Sequence, residues 1–196
     1  DFSIEREDTL RRPRFFDGDT LKTFDCVIAN PPFSLAAWGD EVWGNDPYGR
    51  NFAGLPPKKC GDYAWVQHMI RSMDTKTGRM AIVLPHGALF RMGVEGKIRI
   101  AILEKDMLDA VIGLGANLFY GAGLAAAILV FRQHKPKDRR HKVIVIDASR
   151  QFRRGRNQNS LEQEHIETIF DWYRSYRDIT GTARVVSMDE IASNDY

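Results

Sequence analysis

The chain has 196 residues, of which 43% are hydrophobic and 28% charged, and its formal net charge is +2. These fractions are those of an ordinary globular protein, and the length suits one domain or slightly more. No apolar run approaches the roughly 20 residues that cross a bilayer, and no signal segment opens the chain, so we expect a cytoplasmic protein with no membrane partner. The two cysteines, Cys26 and Cys60, are too few to build a zinc site unaided, and we expect no metal.

Positive charge is concentrated in one segment of the chain. Residues 132–156 contain ten Lys or Arg and two Asp, a net charge of +8, whereas the rest of the chain has a net charge of −6. A basic segment on an otherwise acidic domain favours an anionic partner such as nucleic acid. A solvated surface strand and loop is the alternative interpretation.

The first clear strand is predicted at FDCVIAN, residues 24–30, after the turn residues FDGDTL. Its apolar part, CVIA, is short and bounded by turn residues, which predicts a buried strand. Pro31 and Pro32 cannot continue a central strand because they have no N–H for the ladder. The strand therefore ends at Asn30 and places a polar amide at its carboxyl end, where open α/β sheets bind their ligands.

Loops, helices and strands alternate along the rest of the chain. Residues 34–61 are dense in Gly, Pro and Trp and have no period of 2 or 3.6, so we predict a long irregular loop. Asp62 is predicted to cap the next helix, whose apolar residues have helical spacing: Val66, Met69, Ile70 and Met73. Further strands are predicted at MAIVLP, LDAVIGL, LAAAILVF and KVIVIDA, and further helices at about 94–105 and around 166–173.

This order of elements predicts an α/β fold with a Rossmann-like sheet, mostly parallel, and helices on both faces. LDAVIGL and LAAAILVF are joined by a turn too short for a crossover helix, so this last strand pair is expected to be antiparallel. The turn also contains a match to a dinucleotide-binding fingerprint, formed by Gly121, Gly123 and Ala126. That fingerprint must open a helix, whereas the residues after it are typical of a strand, so a dinucleotide-binding oxidoreductase is the weaker interpretation.

The sequence Asn30-Pro31-Pro32-Phe33, called the NPPF corner below, has a specific chemical use. Each proline restricts the residue before it to extended geometry, which holds the Asn30 amide and the Pro31 carbonyl as two aligned acceptors. They suit a planar amino group such as N6 of adenine, a poor nucleophile whose lone pair is delocalised into the ring. Accepting both hydrogens frees that lone pair, and Phe33 is expected to stack on the base. The alternative is a plain turn that ends a strand.

Stretches along the chain resemble the modification (methylase) subunit of type I restriction-modification systems, which belongs to the N6-adenine DNA methyltransferases. FDCVIANPPFS contains a motif shared by amino-methyltransferases in general, whereas VLPHGALFR, NLFYGAG and NQN are more specific to the type I group. The matching stretches occur in family order over about residues 15–196.

The resemblance implies S-adenosyl-L-methionine as the cofactor and assigns a role to several residues. The NPPF corner matches the catalytic motif that binds the flipped adenine. Phe119, with Tyr120 as the next candidate, matches an aromatic residue that stacks on the extruded base. Asp19 matches an acidic residue near the adenine of the cofactor, and Asn30 is also expected to contact the cofactor. A turn or helix cap is the alternative role for Asp19.

One departure from the family pattern is the absence of a Gly-rich cofactor loop before the NPPF corner, where only Gly18 occurs. We therefore expect a partial methyltransferase sheet that lacks the N-terminal cofactor loop and that is inactive alone. Residues 1–150 are expected to form the C-terminal part of the catalytic domain, and residues 151–196 a helical tail that packs on it.

The resemblance also implies partners: DNA, a specificity subunit, a restriction subunit and a second copy of the modification subunit. Other functions stay open, since the same corner can present a protein glutamine or an RNA base to a methyl donor. A non-catalytic assembly fragment is a third alternative. The basic segment and the type I stretches favour adenine in DNA.

Overall fold

A computed structural model describes residues 2–120, 123–194 and 196 of the chain. The strands are β1 (Phe16–Asp17), β2 (Thr20–Leu21), β3 (Cys26–Ala29), β4 (Arg79–Pro85), β5 (Leu108–Leu114), β6 (Ala126–Arg132), β7 (Lys142–Ala148) and β8 (Ala183–Ser187). The helices are α1 (Asp40–Trp43), α2 (Asp62–Arg71), α3 (Gly87–Phe90), α4 (Val94–Leu103), α5 (Gln163–Ser175) and α6 (Met188–Ser193).

Six strands form one sheet in the order β3-β4-β6-β5-β7-β8, and β1 and β2 form a separate hairpin. β3 is parallel to β4 and β5 is parallel to β7, but β6 is antiparallel to both of its neighbours and β8 is antiparallel to β7. The sheet is therefore mixed, and the prediction of a mostly parallel sheet was wrong. The predicted antiparallel pairing of β5 with β6 is confirmed. A short turn forces that pairing, but β6 also inserts between β5 and β4, which adds a second antiparallel ladder.

The pairing pattern places four strand ends at one edge of the sheet. β3, β4, β5 and β7 run in the same direction, so residues 30, 86, 115 and 149 follow their ends along one border, called the carboxyl edge below. The opposite border, called the amino edge, is where these strands begin and where β6 ends at Arg132. Ligands of α/β sheets bind at the carboxyl edge.

The two faces of the sheet pack against different helices. On one face, residues of α2 and α4 such as Val66 and Ile98 form a core with Met80 and Ile82 of β4. On the other face, Ile169 of α5 packs with alternate residues of β5 and β7 in a second core. Alternation of side chains along each strand produces these two apolar layers. Helices therefore cover both faces, as the sequence predicts. No helix of the described residues is long and apolar enough to span a membrane.

β3 lies at the edge of the sheet, and the prediction of a buried strand was wrong. Cys26 is exposed, and Ile28 is 77% exposed. Within the described ranges, no strand pairs with the outer side of β3. A short apolar run is compatible with either position, because its pattern does not record what lies beside it.

The segment after residue 150 contains α5, α6 and also β8, which joins the sheet. The prediction of a purely helical tail was therefore wrong in this respect, while the division at residue 150 stays a prediction. The buried carboxylate of Asp109 on β5 holds α5 to the sheet. Its Oδ2 accepts hydrogen bonds from Tyr173 Oη at 2.6 Å, Arg132 Nε at 3.0 Å and Arg139 Nη1 at 3.2 Å. Three donors offset the cost of burying this charge.

The loop over residues 34–61 is irregular apart from the single turn α1, as predicted. It has its own small core, in which the rings of Trp38 and Trp43 are buried and lie 5.2 Å apart. The guanidinium of Arg50 lies over the Trp43 ring at 4.7 Å and pairs with Asp46 at 2.7 Å. Aromatic packing and a buried ion pair therefore fix the loop without regular secondary structure.

The mostly buried ring of His68 on α2 lies beside this loop, with Nδ1 3.4 Å from Arg50 Nη1. Burial, followed by repulsion from Arg50, lowers the pKa of His68 from 6.5 to about 4. Between these two values the unfolded chain takes up a proton that the folded chain does not. We therefore expect the free energy of unfolding to fall as the pH is lowered from about 6.5 to about 4, by up to about 3 kcal/mol.

Urea unfolding at a series of pH values in wild type and in His68→Gln tests this expectation. Glutamine removes the titrating group, so the stability difference between the two proteins should change through this window and stay constant above it. Parallel profiles over the whole window would show that His68 does not contribute to the pH dependence.

Candidate active site

The NPPF corner follows β3 at the carboxyl edge. Pro31 is buried, whereas Asn30 and Pro32 are exposed. Among the described residues, neither the Asn30 side chain nor the Pro31 carbonyl has a hydrogen-bond partner. The corner thus presents two free acceptors, one on a side chain and one on a main chain that proline makes stiff.

Phe33 and Phe119 meet at the corner, although they are distant in sequence. Their ring centroids are 5.7 Å apart and the rings lie edge to face at 68°. The structure therefore joins the aromatic residue of the corner to the predicted stacking residue of the turn after β5. Tyr120, the other candidate, is 96% exposed and extends into solvent. Gly121, which belongs to the predicted dinucleotide fingerprint, lies outside the described residues, and the residues from Ala126 onward form β6 rather than a helix.

Asp19 is not brought to the corner. It lies in the turn of the exposed hairpin between β1 and β2, after Gly18 with φ +60°. The neighbouring residues Thr20 and Leu21 line a cavity with Met107 and Gln133, which lie at the amino edge. Asp19 and Asn30 are both predicted to bind the cofactor, but within the described ranges they do not lie together in one site. The cofactor role of Asp19 stays a prediction.

Asp62 fixes the chain directly after the corner. Its buried carboxylate accepts the Ser34 N–H at 2.7 Å and the Ser34 hydroxyl at 3.5 Å. Ser34 has φ +50°, a left-handed conformation that a residue with a side chain adopts only when its surroundings hold it there. The prediction that Asp62 caps α2 was wrong, because Asp62 is the first residue of that helix and Gly61 occupies the cap position. Nothing in the local sequence indicates this longer-range bond.

A guanidinium balances the charge of Asp62. Arg91 bonds to Asp62, to Glu95 through Nε at 2.6 Å, and to Cys60 Sγ at 3.2 Å. The bond to Glu95, and then that to Asp62, raises the pKa of Arg91, while burial raises the pKa of the Cys60 thiol to about 11. The thiol therefore stays protonated and donates to Asp62 and Glu95. Cys60, Asp62 and Glu95 have ligand atoms close enough together for a metal, but Arg91 already satisfies this cluster.

The turn that carries Phe119 is held by a second loop, over residues 149–162. Asn157, Gln158 and Asn159 of the NQN stretch bond to the turn residues 116–118 through four hydrogen bonds of 2.9 to 3.1 Å. Gly115 is required at the base of the turn, because a Cβ there would lie 2.7 Å from the Phe152 ring. In the sequence, the NQN stretch stands out only through the resemblance to the type I group, whereas the structure shows that it braces the turn carrying Phe119.

The arrangement offers neutral acceptors and aromatic surface rather than a strong base. A planar amino group can donate both hydrogens to Asn30 and to the Pro31 carbonyl while its ring contacts Phe33. Such a site acts on a nitrogen by orientation and electrostatics.

The N-6 DNA methylase family model matches residues 1–196. The type I restriction enzyme MjaVII methylase subunit of Methanocaldococcus jannaschii is 38% identical over 205 residues, covering 100% of this chain and 34% of that protein. The type I restriction enzyme MpnII methylase subunit of Mycoplasma pneumoniae is 31% identical over 201 residues, covering 100% of this chain and 36% of that protein.

A crystal structure of a type I restriction-modification system methyltransferase subunit from Streptococcus thermophilus has a TM-score of 0.86 at 38% identity. The match covers 96% of this chain and 39% of that one. The chain therefore spans about a third of the length of the relatives it matches. The family inferred from the sequence motifs is confirmed, since the family model matches the entire sequence: this protein belongs to the N-6 DNA methylase family.

Proposed function

We propose that the complete protein containing this chain is a site-specific, adenine-specific DNA methyltransferase that transfers a methyl group from S-adenosyl-L-methionine to N6 of adenine. We further propose that it acts as the modification subunit of a type I restriction-modification system. One observation supports this most strongly: a corner with two free acceptors beside the Phe33–Phe119 contact, in a chain of the N-6 DNA methylase family.

The chemistry follows from the two acceptors. The N6 lone pair of adenine is delocalised into the ring, so the amino group is planar and weakly nucleophilic. When Asn30 and the Pro31 carbonyl each accept one N6 hydrogen, the nitrogen shifts toward tetrahedral geometry and its lone pair becomes available. S-adenosyl-L-methionine supplies the methyl group when bound. The nitrogen gains one methyl group and releases one proton, so the corner needs no strong base.

The substrate base must leave the duplex before it can reach this corner. Phe33 and Phe119 offer aromatic surface for the extruded adenine, and such stacking contributes about 1–3 kcal/mol per base. We propose that a specificity subunit directs the complex to its DNA target, and that a second modification subunit and a restriction subunit belong to the same complex. The relatives are named as subunits of type I restriction enzymes, which supports assembly with other subunits.

The test uses the longest natural polypeptide that contains these 196 residues, together with its specificity subunit. The complex is incubated with unmethylated duplex DNA and methyl-labelled S-adenosyl-L-methionine, and the DNA is digested to nucleosides that are counted separately. We expect the label in N6-methyladenine. Label on protein glutamine or on RNA would be consistent with the same mechanism but would show that DNA is not the substrate. No transfer by a folded, assembled complex would favour the non-catalytic assembly role.

A further inference from the structure

The basic segment of residues 132–156 is divided between the two edges of the sheet. Residues 132–142 run from the last residue of β6 to the first residue of β7 and lie at the amino edge, while residues 149–156 follow β7 and lie at the carboxyl edge. β7 spans the distance between them. Only the second group shares an edge with the NPPF corner.

Ion pairs within the protein use some of these charges. Arg132 and Arg139 bond to Asp109, Lys135 bonds to Asp106 at 2.6 Å, and Arg153 bonds to Glu162 at 2.6 Å. Six other basic residues of the segment are exposed and form no salt bridge with any described residue: Lys137, Arg140 and Lys142 at the amino edge, and Arg150, Arg154 and Arg156 at the carboxyl edge.

The three free arginines belong to the loop that braces the turn of Phe119. Asn157 and Asn159, directly beyond Arg156, bond to that turn, and Phe152, between Arg150 and Arg154, packs against Gly115. The loop is therefore fixed relative to the aromatic contact at the corner. A duplex that delivers a base to this contact also brings its backbone to the carboxyl edge, with one phosphate charge per about 1.7 Å of helix axis.

We infer that Arg150, Arg154 and Arg156 form a phosphate-binding surface that holds the DNA backbone beside the extruded adenine. This inference rests on the proposed function, since it takes DNA as the substrate of the corner. Guanidinium groups suit the task because they bind phosphate oxygens through two parallel hydrogen bonds. Lys137, Arg140 and Lys142 face the other edge and do not take part.

The test compares two variants with the same change in charge. In one, Arg150, Arg154 and Arg156 are replaced by glutamine, and in the other Lys137, Arg140 and Lys142 are replaced by glutamine. Both are prepared in the longest natural polypeptide with its specificity subunit, and the Kd for target duplex is measured by fluorescence anisotropy at several salt concentrations. Each lost phosphate contact reduces the slope of log K against log salt by about 0.9. We expect the magnitude of this slope to be smaller by about 2–3 in the first variant, which loses three contacts, and to equal the wild-type value in the second.

Equal slopes in the wild type and the first variant would overturn the inference, as would equal losses in both variants, which would show a general effect of charge. If the first variant instead fails to assemble with the specificity subunit, while the assembled fraction keeps the wild-type slope, the surface contacts that subunit and the inference fails. The nucleoside assay on wild type judges the proposed function separately. If wild type methylates adenine but the first variant keeps the wild-type slope, only the phosphate-binding surface is rejected. If the first variant has a smaller slope but wild type does not methylate adenine, only the proposed methyl transfer is rejected.

Discussion

Replacing Asn30 with alanine is expected to lower the rate of adenine methylation by about 10²- to 10³-fold, without lowering the free energy of unfolding. The loss is of the size seen when one preorganised hydrogen-bonding group is removed from a reacting centre. Without the amide oxygen, only the Pro31 carbonyl accepts from N6, and the lone pair stays in the ring. Stability should hold because the Asn30 side chain is exposed and bonds to no described residue.

Single-turnover transfer of labelled methyl to DNA measures this rate, and urea unfolding measures stability. Asn45 provides a matched control, since it is an exposed asparagine in the loop before α2. Asn45→Ala should keep the wild-type rate. An Asn30→Ala protein that transfers methyl at the wild-type rate would remove Asn30 from the mechanism and leave the corner as a turn.

Those features of the site that are determined by residues adjacent in sequence could be predicted. Two prolines after an apolar run stop a strand wherever it lies, so the position of Asn30 at a strand end was predictable. The pairing of β5 with β6 was also predictable, because a short turn permits only one geometry. The exposed position of β3 and the insertion of β6 beside β4 were not predictable, since both depend on strands that are distant in sequence. The turn residues FDGDTL did indicate the turn that contains Asp19, but the place of that turn relative to the NPPF corner depends on the fold.

Asp62 shows this limit most clearly, because its role depends on a bond across the fold to Ser34. We expect Asp62→Ala to lower methyl transfer per folded protein by about 10²-fold, since small misplacements of a reacting centre cost this much. Its unfolding free energy should also fall, by roughly 3 kcal/mol, because the change leaves Arg91 without one partner and the Ser34 N–H without an acceptor. We therefore propose that Asp62 is a positioning residue, whereas Asn30 is the residue proposed to contact the substrate.

Glu95→Gln separates positioning from stability. It removes the other carboxylate that bonds to Arg91 but leaves the bond from Asp62 to Ser34 in place. We expect Glu95→Gln to lose stability as Asp62→Ala does, yet to keep methyl transfer per folded protein close to wild type. Asp62→Asn, which retains an oxygen for the Ser34 N–H, should recover most of the transfer rate without recovering all the stability. If transfer in the three variants instead falls in proportion to stability, Asp62 supports the fold and does not position the corner.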